Sequence, residues 1–200
     1  MPRRGLTRDA VIDAAATIAD GEGLDAVTLA HLAARLGIKP PSLYKHVGSL
    51  DDLHKALALK GLREATGRLQ RATVGKARED ALFALAHAYW RFARERPGLY
   101  SASLRAPRSD EAELVVAGEA MLGTVLSVLA GFGVRGDDAL HATRGLRAII
   151  HGFVSLAASG GFRLGLDIEE SLARLLNAFA RDLTARGAGA PAREGERATA

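Results

Sequence analysis

Cysteine is absent from the 200 residues of this chain, and aromatic residues make up only 5% of them. Without cysteine the chain has no disulfide bonds and no thiolate metal sites. No uninterrupted apolar run approaches the roughly 18 residues that a membrane-spanning helix needs, and the first residues lack the apolar segment of a signal peptide. We therefore expect a cytoplasmic protein with no membrane partner.

Signals for β-strands are also missing. Apolar residues recur at intervals of three and four, which is the helical period, and 48% of the residues are hydrophobic, which is enough for a core. Thr7 and Thr28 are good N-caps, and Ser49 precedes Asp51 and Asp52 at the start of a longer helix. The pattern predicts an all-α fold, with later helices at residues 76–96, 110–130, 137–158 and 167–186.

Charge and motif patterns argue against an enzyme. Lys and Arg exceed Asp and Glu by 27 to 23, an excess that suits nucleic acid but is shared by many enzymes. Residues 131–136 fit GxGxxG, but the dinucleotide fingerprint follows a strand, and a helical pattern precedes these glycines. His46 and His54 flank two aspartates, which suggests a metal site or, more simply, solvated polar residues. We predict no catalytic residue, no metal and no cofactor.

Residues 28–47 carry the sharpest pattern. Leu32 and Leu36 lie one turn apart, Ala33 is small where a second helix must cross, and Gly37 suits a tight turn. Ile38 and Leu43 then return to the same core. Two short helices joined by a glycine turn predict a helix-turn-helix, whose second helix reads the major groove of DNA.

The predicted DNA contacts are outward-facing polar or basic side chains and two prolines that suit a thymine methyl group. A basic residue one turn into the next helix is added as a backbone contact. The full set is Thr28, Lys39, Pro40, Pro41, Ser42, Tyr44, Lys45, His46 and Lys55.

Residues 7–57 resemble the TetR family of repressors, through Leu32-Ala33, Leu36-Gly37-Ile38, residues 42–47 and residues 50–53. The resemblance implies a three-helix DNA-binding head, assigned to residues 1–52, and a helical ligand-binding and dimerisation body, assigned to residues 53–186. Residues 187–200 are predicted to be a disordered tail. Many members have Lys where this chain has Leu50. His151-Gly152 also match a Trp-x-x-x-His-Gly type of C-terminal domain, with Arg147 at the Trp position.

The predicted function is a sequence-specific transcriptional regulator, a homodimeric repressor that a small-molecule effector releases from a palindromic double-stranded operator. Apolar stripes on the last two helices predict dimerisation through Ile149, Phe153, Ile168, Leu172, Leu175 and Phe179. The predicted effector residues are Phe83, His87, Trp90, Tyr100, Met121, Val125 and His151. Each of these residues could instead belong to an ordinary core. The alternative function is a helical adaptor or small-molecule-binding protein without DNA activity, which steep salt dependence of duplex binding would argue against.

Overall fold

The computed structural model describes residues 6–189, which contain α-helices and no β-strand. The all-α prediction is therefore confirmed for these residues. The helices are α1 (Arg8–Glu22), α2 (Leu29–Leu36), α3 (Pro40–Leu43), α4 (Leu50–Thr73), α5 (Arg78–Glu95), α6 (Pro97–Ser103), α7 (Ala112–Ala130), α8 (Gly136–Ala158) and α9 (Ile168–Gly189), with a 3₁₀ turn at Leu24–Ala26.

Side-chain caps begin the head helices where the sequence predicts them. The Thr7 hydroxyl accepts from the Ala10 amide at 3.2 Å, and the Thr28 hydroxyl accepts from the His31 amide at 3.1 Å. At α4 the Asp52 amide donates to the Ser49 hydroxyl at 3.0 Å. Each cap satisfies an amide that has no partner within its helix.

The contacts divide the chain into two compact units. The first contains Met1–Ala72 and Leu85–Thr124, and the second contains Thr73–Ala84 and the chain from Val125 onward. The boundaries fall inside α5 and α7, so these units do not coincide with the predicted head and body. The predicted functional division at residue 52 stays a prediction, because compactness does not assign function.

Within the first unit, α6 packs tightly against α1 and α4. Gly98 lies directly against the backbone of Ala19, and Gly61 lies against the Leu99 carbonyl. The Asp20 carboxylate accepts from the Gly98 and Leu99 amides at 2.9 and 3.2 Å, and so caps the N-terminus of α6. The sequence analysis predicted no helix between residues 97 and 110, and α6 corrects it.

In the second unit, α8 packs against α9. A side chain at Gly145 would lie 3.4 Å from the Phe179 ring, which shows how closely the two helices approach there. Residues 131–135 form the loop between α7 and α8, as predicted, and Gly136, the last glycine of the GxGxxG pattern, begins α8. Since α9 continues through Gly189, the prediction of disorder is wrong for residues 187–189. Its remainder, 190–200, lies outside the described residues.

Helix α7 is unusually apolar. By length and composition alone it could cross a membrane, and only 22% of its most apolar stretch is buried within the chain. Its sequence includes Glu113 and Glu119, which interrupt the apolar run. The core helices of water-soluble proteins pass the same test, so α7 assigns no membrane role.

Candidate nucleic-acid interface

The helix-turn-helix scaffold forms as the sequence predicts. Leu32, Ala33 and Leu43 are buried, so α2 and α3 share one core. Gly37 adopts a φ of 65°, which L side chains rarely adopt, and ends α2. The Ile38 amide then donates to the Ala33 carbonyl at 3.0 Å, which closes the turn.

The segment expected to enter the groove (residues 39–46, the reading segment) lies at the surface. Lys39, both prolines, Tyr44 and Lys45 are exposed, with Tyr44 at 59%. Ser42 and His46 are half-buried. Helix α3 has only four residues, but the Val47 amide donates to the Leu43 carbonyl at 2.9 Å and continues the helical path. The structure thus brings seven of the nine predicted contact residues together on one short stretch.

The two remaining DNA-contact candidates have partners of their own. The Thr28 hydroxyl oxygen is used as the cap of α2, although the residue is exposed. The Lys55 ammonium lies 2.7 Å from Asp51 and 3.5 Å from Glu111, and its side chain is 30% exposed. In this conformation the charge of Lys55 is neutralised within the chain. Its contact with a phosphate stays a prediction.

Arg8 was not predicted from the sequence, and it ties the reading segment to α1 and α4. Its Nη1 donates to the His46 carbonyl at 2.7 Å, and its two Nη atoms each lie 3.1 Å from a carboxylate oxygen of Asp52. Asp52 also accepts from the Gly48 amide at 2.9 Å. The hydrogen bond from Arg8, with the Gly48 amide, lowers the pKa of Asp52. Arg8 therefore fixes the backbone at the end of the reading segment.

The predicted effector residues are divided between the two units. Phe83, Val125 and His151 belong to the second unit, and the others belong to the first. Trp90 and Tyr100 are buried, and Tyr100 contacts the Tyr89 and Phe92 rings edge-on. The Trp90 Nε1 is buried and has no hydrogen-bond acceptor among the described residues.

A cleft of about 1060 Å³ in the first unit is lined by none of these candidates. Its walls come from α1, α4 and the start of α7, and they carry both acidic and basic side chains. Several of these charges pair with one another, as Lys60 does with Asp13 at 2.8 Å and Arg63 with Glu113 at 3.4 Å. A surface of paired charges differs from the apolar lining expected of an effector pocket.

The predicted dimerisation residues differ in how the second unit uses them. Leu172 is fully buried within the chain, whereas Leu175 is 40% exposed. Ile149, Phe153, Ile168 and Phe179 are half-buried. Leu156, which was not predicted, is 48% exposed on α8. Leu172 is therefore a core residue of its own unit, and the exposed leucines are the ones open to a partner.

Comparison with known proteins identifies both parts of the chain. Residues 11–57 match the family described as bacterial regulatory proteins, tetR family, and residues 82–179 match a tetracyclin repressor-like C-terminal domain. The chain is also 39% identical over 178 residues to the uncharacterised HTH-type transcriptional regulator YobS of Bacillus subtilis, covering 89% of this chain and 93% of that one. The chain belongs to the TetR family.

Two further similarities concern a short stretch of sequence and the fold. This chain is 44% identical to the class D tetracycline repressor of Escherichia coli over 55 residues, which are 28% of this chain and 25% of that one. The fold is similar to that of a TetR variant from Acinetobacter baumannii, solved in complex with minocycline, with a TM-score of 0.68 and 20% sequence identity. That similarity covers 90% of this chain and 98% of the other.

Membership of the TetR family confirms the central prediction of a DNA-binding transcriptional regulator and not an enzyme. The Trp-His-Gly type of C-terminal domain stays a prediction. The residues that the sequence analysis missed, such as Arg8, act through partners 38 and 44 positions away, a separation that leaves no local signal.

Proposed function

We propose that this TetR-family regulator is a cytoplasmic homodimeric repressor that a small-molecule effector releases from a palindromic operator. The observation that carries the proposal is the reading segment, which places Lys39, Tyr44 and Lys45 at the surface on a buried scaffold. Lysines offer contacts to phosphates and base edges, and the tyrosine hydroxyl offers one to a phosphate. The named repressor similar to the head supports repression as the mode of action.

The experiment for operator binding is selection of full-length protein on random duplexes, followed by titration of the selected site at increasing salt. Recovery of a palindrome and a steep loss of affinity with salt would support the proposal. Absence of any enriched sequence would contradict it. If the affinity for duplex DNA does not change with salt concentration, the result would favour the alternative in which the head contacts another protein.

A dimer is supported by two exposed leucines, Leu156 of α8 and Leu175 of α9. A single reading segment spans too few base pairs for useful specificity, and two-fold symmetry doubles the contacts. We therefore place the partner on the face that contains these leucines. Half-buried Phe153 and Phe179 would extend the same apolar surface.

An apolar or amphipathic effector with a hydrogen-bond acceptor is supported by Trp90. Its indole N–H is buried without an acceptor among the described residues, and such a group costs free energy unless a ligand or water satisfies it. Release of DNA requires that the effector bind the two head arrangements with different affinity.

Trp90 is the only tryptophan of the chain, so its fluorescence reports on this site directly. In a screen for compounds that release the operator, we expect active compounds to change Trp90 emission. The Trp90→Phe variant should still bind the operator. Compounds that carry a hydrogen-bond acceptor should release it from the operator less effectively than they release the wild type. If compounds that release the operator leave the Trp90 emission unchanged, the effector site does not include Trp90.

A further inference from the structure

Glu111 is a buried carboxylate at the end of the loop between α6 and α7. Its side chain is only 5% exposed. It accepts from the Arg105 guanidinium and from the Arg108 amide, each at 2.9 Å, and it pairs with the Arg108 guanidinium at 3.1 Å. Burial of a carboxylate costs free energy unless such partners surround it. We therefore expect these contacts to keep the loop fixed around Glu111.

The same carboxylate contacts the start of α4. Lys55 lies 3.5 Å from Glu111 and 2.7 Å from Asp51, and Arg108 lies 3.8 Å from Asp51. Asp51 and Lys55 stand in the first two turns of α4, directly after the reading segment. The loop and the start of α4 are therefore joined by alternating charges: Glu111, Lys55, Asp51 and Arg108.

The start of α4 in turn fixes the reading segment. Asp52, next to Asp51, holds the Gly48 amide and the Arg8 guanidinium, and Arg8 holds the His46 carbonyl. A shift of the first turn of α4 must therefore move the end of the reading segment or break these bonds. Side chains of the reading segment can contact base edges only while they lie within hydrogen-bond distance of the bases.

We propose that Glu111 is a positioning residue for operator binding, which holds the start of α4 through Lys55, and that Lys55 serves as this tie and not as a phosphate contact. The inference rests on the proposed operator binding but concerns a residue outside the helix-turn-helix. It also distinguishes the two roles that are open for Lys55, because a lysine whose charge is balanced by two carboxylates attracts a phosphate only weakly.

The test uses the full-length variant Glu111→Gln, which keeps the shape of the side chain and removes its charge. We expect its affinity for the selected operator to fall by about tenfold or more, because the ion pair between Glu111 and Lys55 that holds the start of α4 is lost. The slope of affinity against salt should stay unchanged, because no phosphate contact is lost. Unchanged affinity, or higher affinity with a steeper slope as Lys55 is freed for DNA, would overturn the proposal.

Two further variants separate positioning from simple loss of structure. Glu113→Gln is the matched control, since Glu113 lies two residues further along the chain, in the first turn of α7, and pairs with Arg63 only at the surface; its affinity should equal that of the wild type. Lys55→Gln leaves Glu111 with both arginines and should weaken binding as Glu111→Gln does, again at constant salt slope. The double variant should be no weaker than either single variant, because both remove one tie. Additive losses, or a flatter slope in Lys55→Gln, would contradict the tie.

Hydrogen exchange on the free protein tests the tie without DNA. In Glu111→Gln the amides at the start of α4 should exchange faster, while Glu113→Gln leaves them unchanged. Unchanged exchange in Glu111→Gln would refute the tie even if operator binding is established. If the wild type selects no operator while exchange behaves as expected, the proposed function fails and the tie stands.

Discussion

Substitution of Gly98 by alanine tests the closest helix contact of the first unit. A methyl group at this position would lie 2.5 Å from the Ala19 carbonyl oxygen, and closer still to the carbonyl carbon and Cβ of the same residue. The obstacles are backbone atoms and a side chain with no rotamer freedom. The contact can therefore be relieved only if α6 and α1 separate, by roughly 1 Å, to reach ordinary van der Waals distance.

Separation of the helices has two costs that can be estimated. Overpacking of a tight contact costs about 1–3 kcal/mol. The same movement stretches the two hydrogen bonds that Asp20 accepts from the Gly98 and Leu99 amides, each worth about 1.5–3 kcal/mol because the acceptor is charged. Replacing glycine in a helix returns at most about 1 kcal/mol. With overpacking near the middle of its range, about 2 kcal/mol, and the two hydrogen bonds weakened by about 1–2 kcal/mol together, the net loss is about 2–3 kcal/mol.

Thermal unfolding followed by circular dichroism, at equal protein concentration, measures this loss. For a chain of this size about 2–3 kcal/mol corresponds to a Tm lower by roughly 4–12 °C. Gly118→Ala is the control, because Gly118 lies within α7 and nothing stands within 4 Å of its added methyl group; it should leave Tm unchanged or raise it. A Gly98→Ala protein at least as stable as the wild type would refute the reasoning about this contact.

Three further predictions concern the reading segment, the dimer and acid stability. Tyr44→Ala and Lys45→Ala should weaken operator binding, measured by fluorescence anisotropy, without lowering Tm; loss of folding would make these residues structural. Leu175→Glu should yield monomers in analytical ultracentrifugation, whereas Asn177→Glu, about 200° around the same helix, should not; an unchanged mass for the first would contradict the dimer face. Arg105 and the Arg108 amide lower the pKa of Glu111 from near 4.5 to about 2, so its stabilising contribution is present above pH about 4.5 and is lost as pH falls towards 2. Glu111→Gln should therefore lose less free energy of unfolding between pH 5 and pH 3 in urea titrations than the wild type, and an equal loss would argue against the buried ion pairs.

The local part of the fold could be predicted because its causes lie within a few residues. Thr7, Thr28 and Ser49 cap helices through amides three positions on, and Gly37 ends α2 by its own conformation. Helix α6 could not be predicted in this way. It has seven residues, begins with proline and glycine, and depends on a cap from Asp20, 78 positions earlier in the chain.

Parts of the candidate site also depend on contacts between distant residues and could not be predicted from the sequence. Leu172 and Leu175 lie on one apolar stripe, and only the packing of α8 on α9 decides that the first is buried in its own unit while the second faces outward. The pairing of Lys55 with Glu111 joins residues 56 positions apart. A lysine at a helix surface looks the same in the sequence whether it meets a phosphate or a carboxylate, so its partner comes only from the fold.

The charges at the start of α4 also affect how strongly the protein binds the DNA backbone. The start of α4 has Leu50 where many TetR-family members have lysine, and it carries two aspartates that would repel phosphates. Asp51 is paired with Lys55 and Asp52 with Arg8, so this surface is close to neutral and neither attracts nor repels DNA strongly. If Lys39 and Lys45 of each protomer make the phosphate contacts of a dimer, four phosphates are neutralised. The logarithm of affinity should then fall with the logarithm of salt concentration at a slope of about −4. Adding Lys55 of each protomer would neutralise six phosphates and steepen the slope to about −5, so a slope of that size or steeper would argue for Lys55 as a phosphate contact.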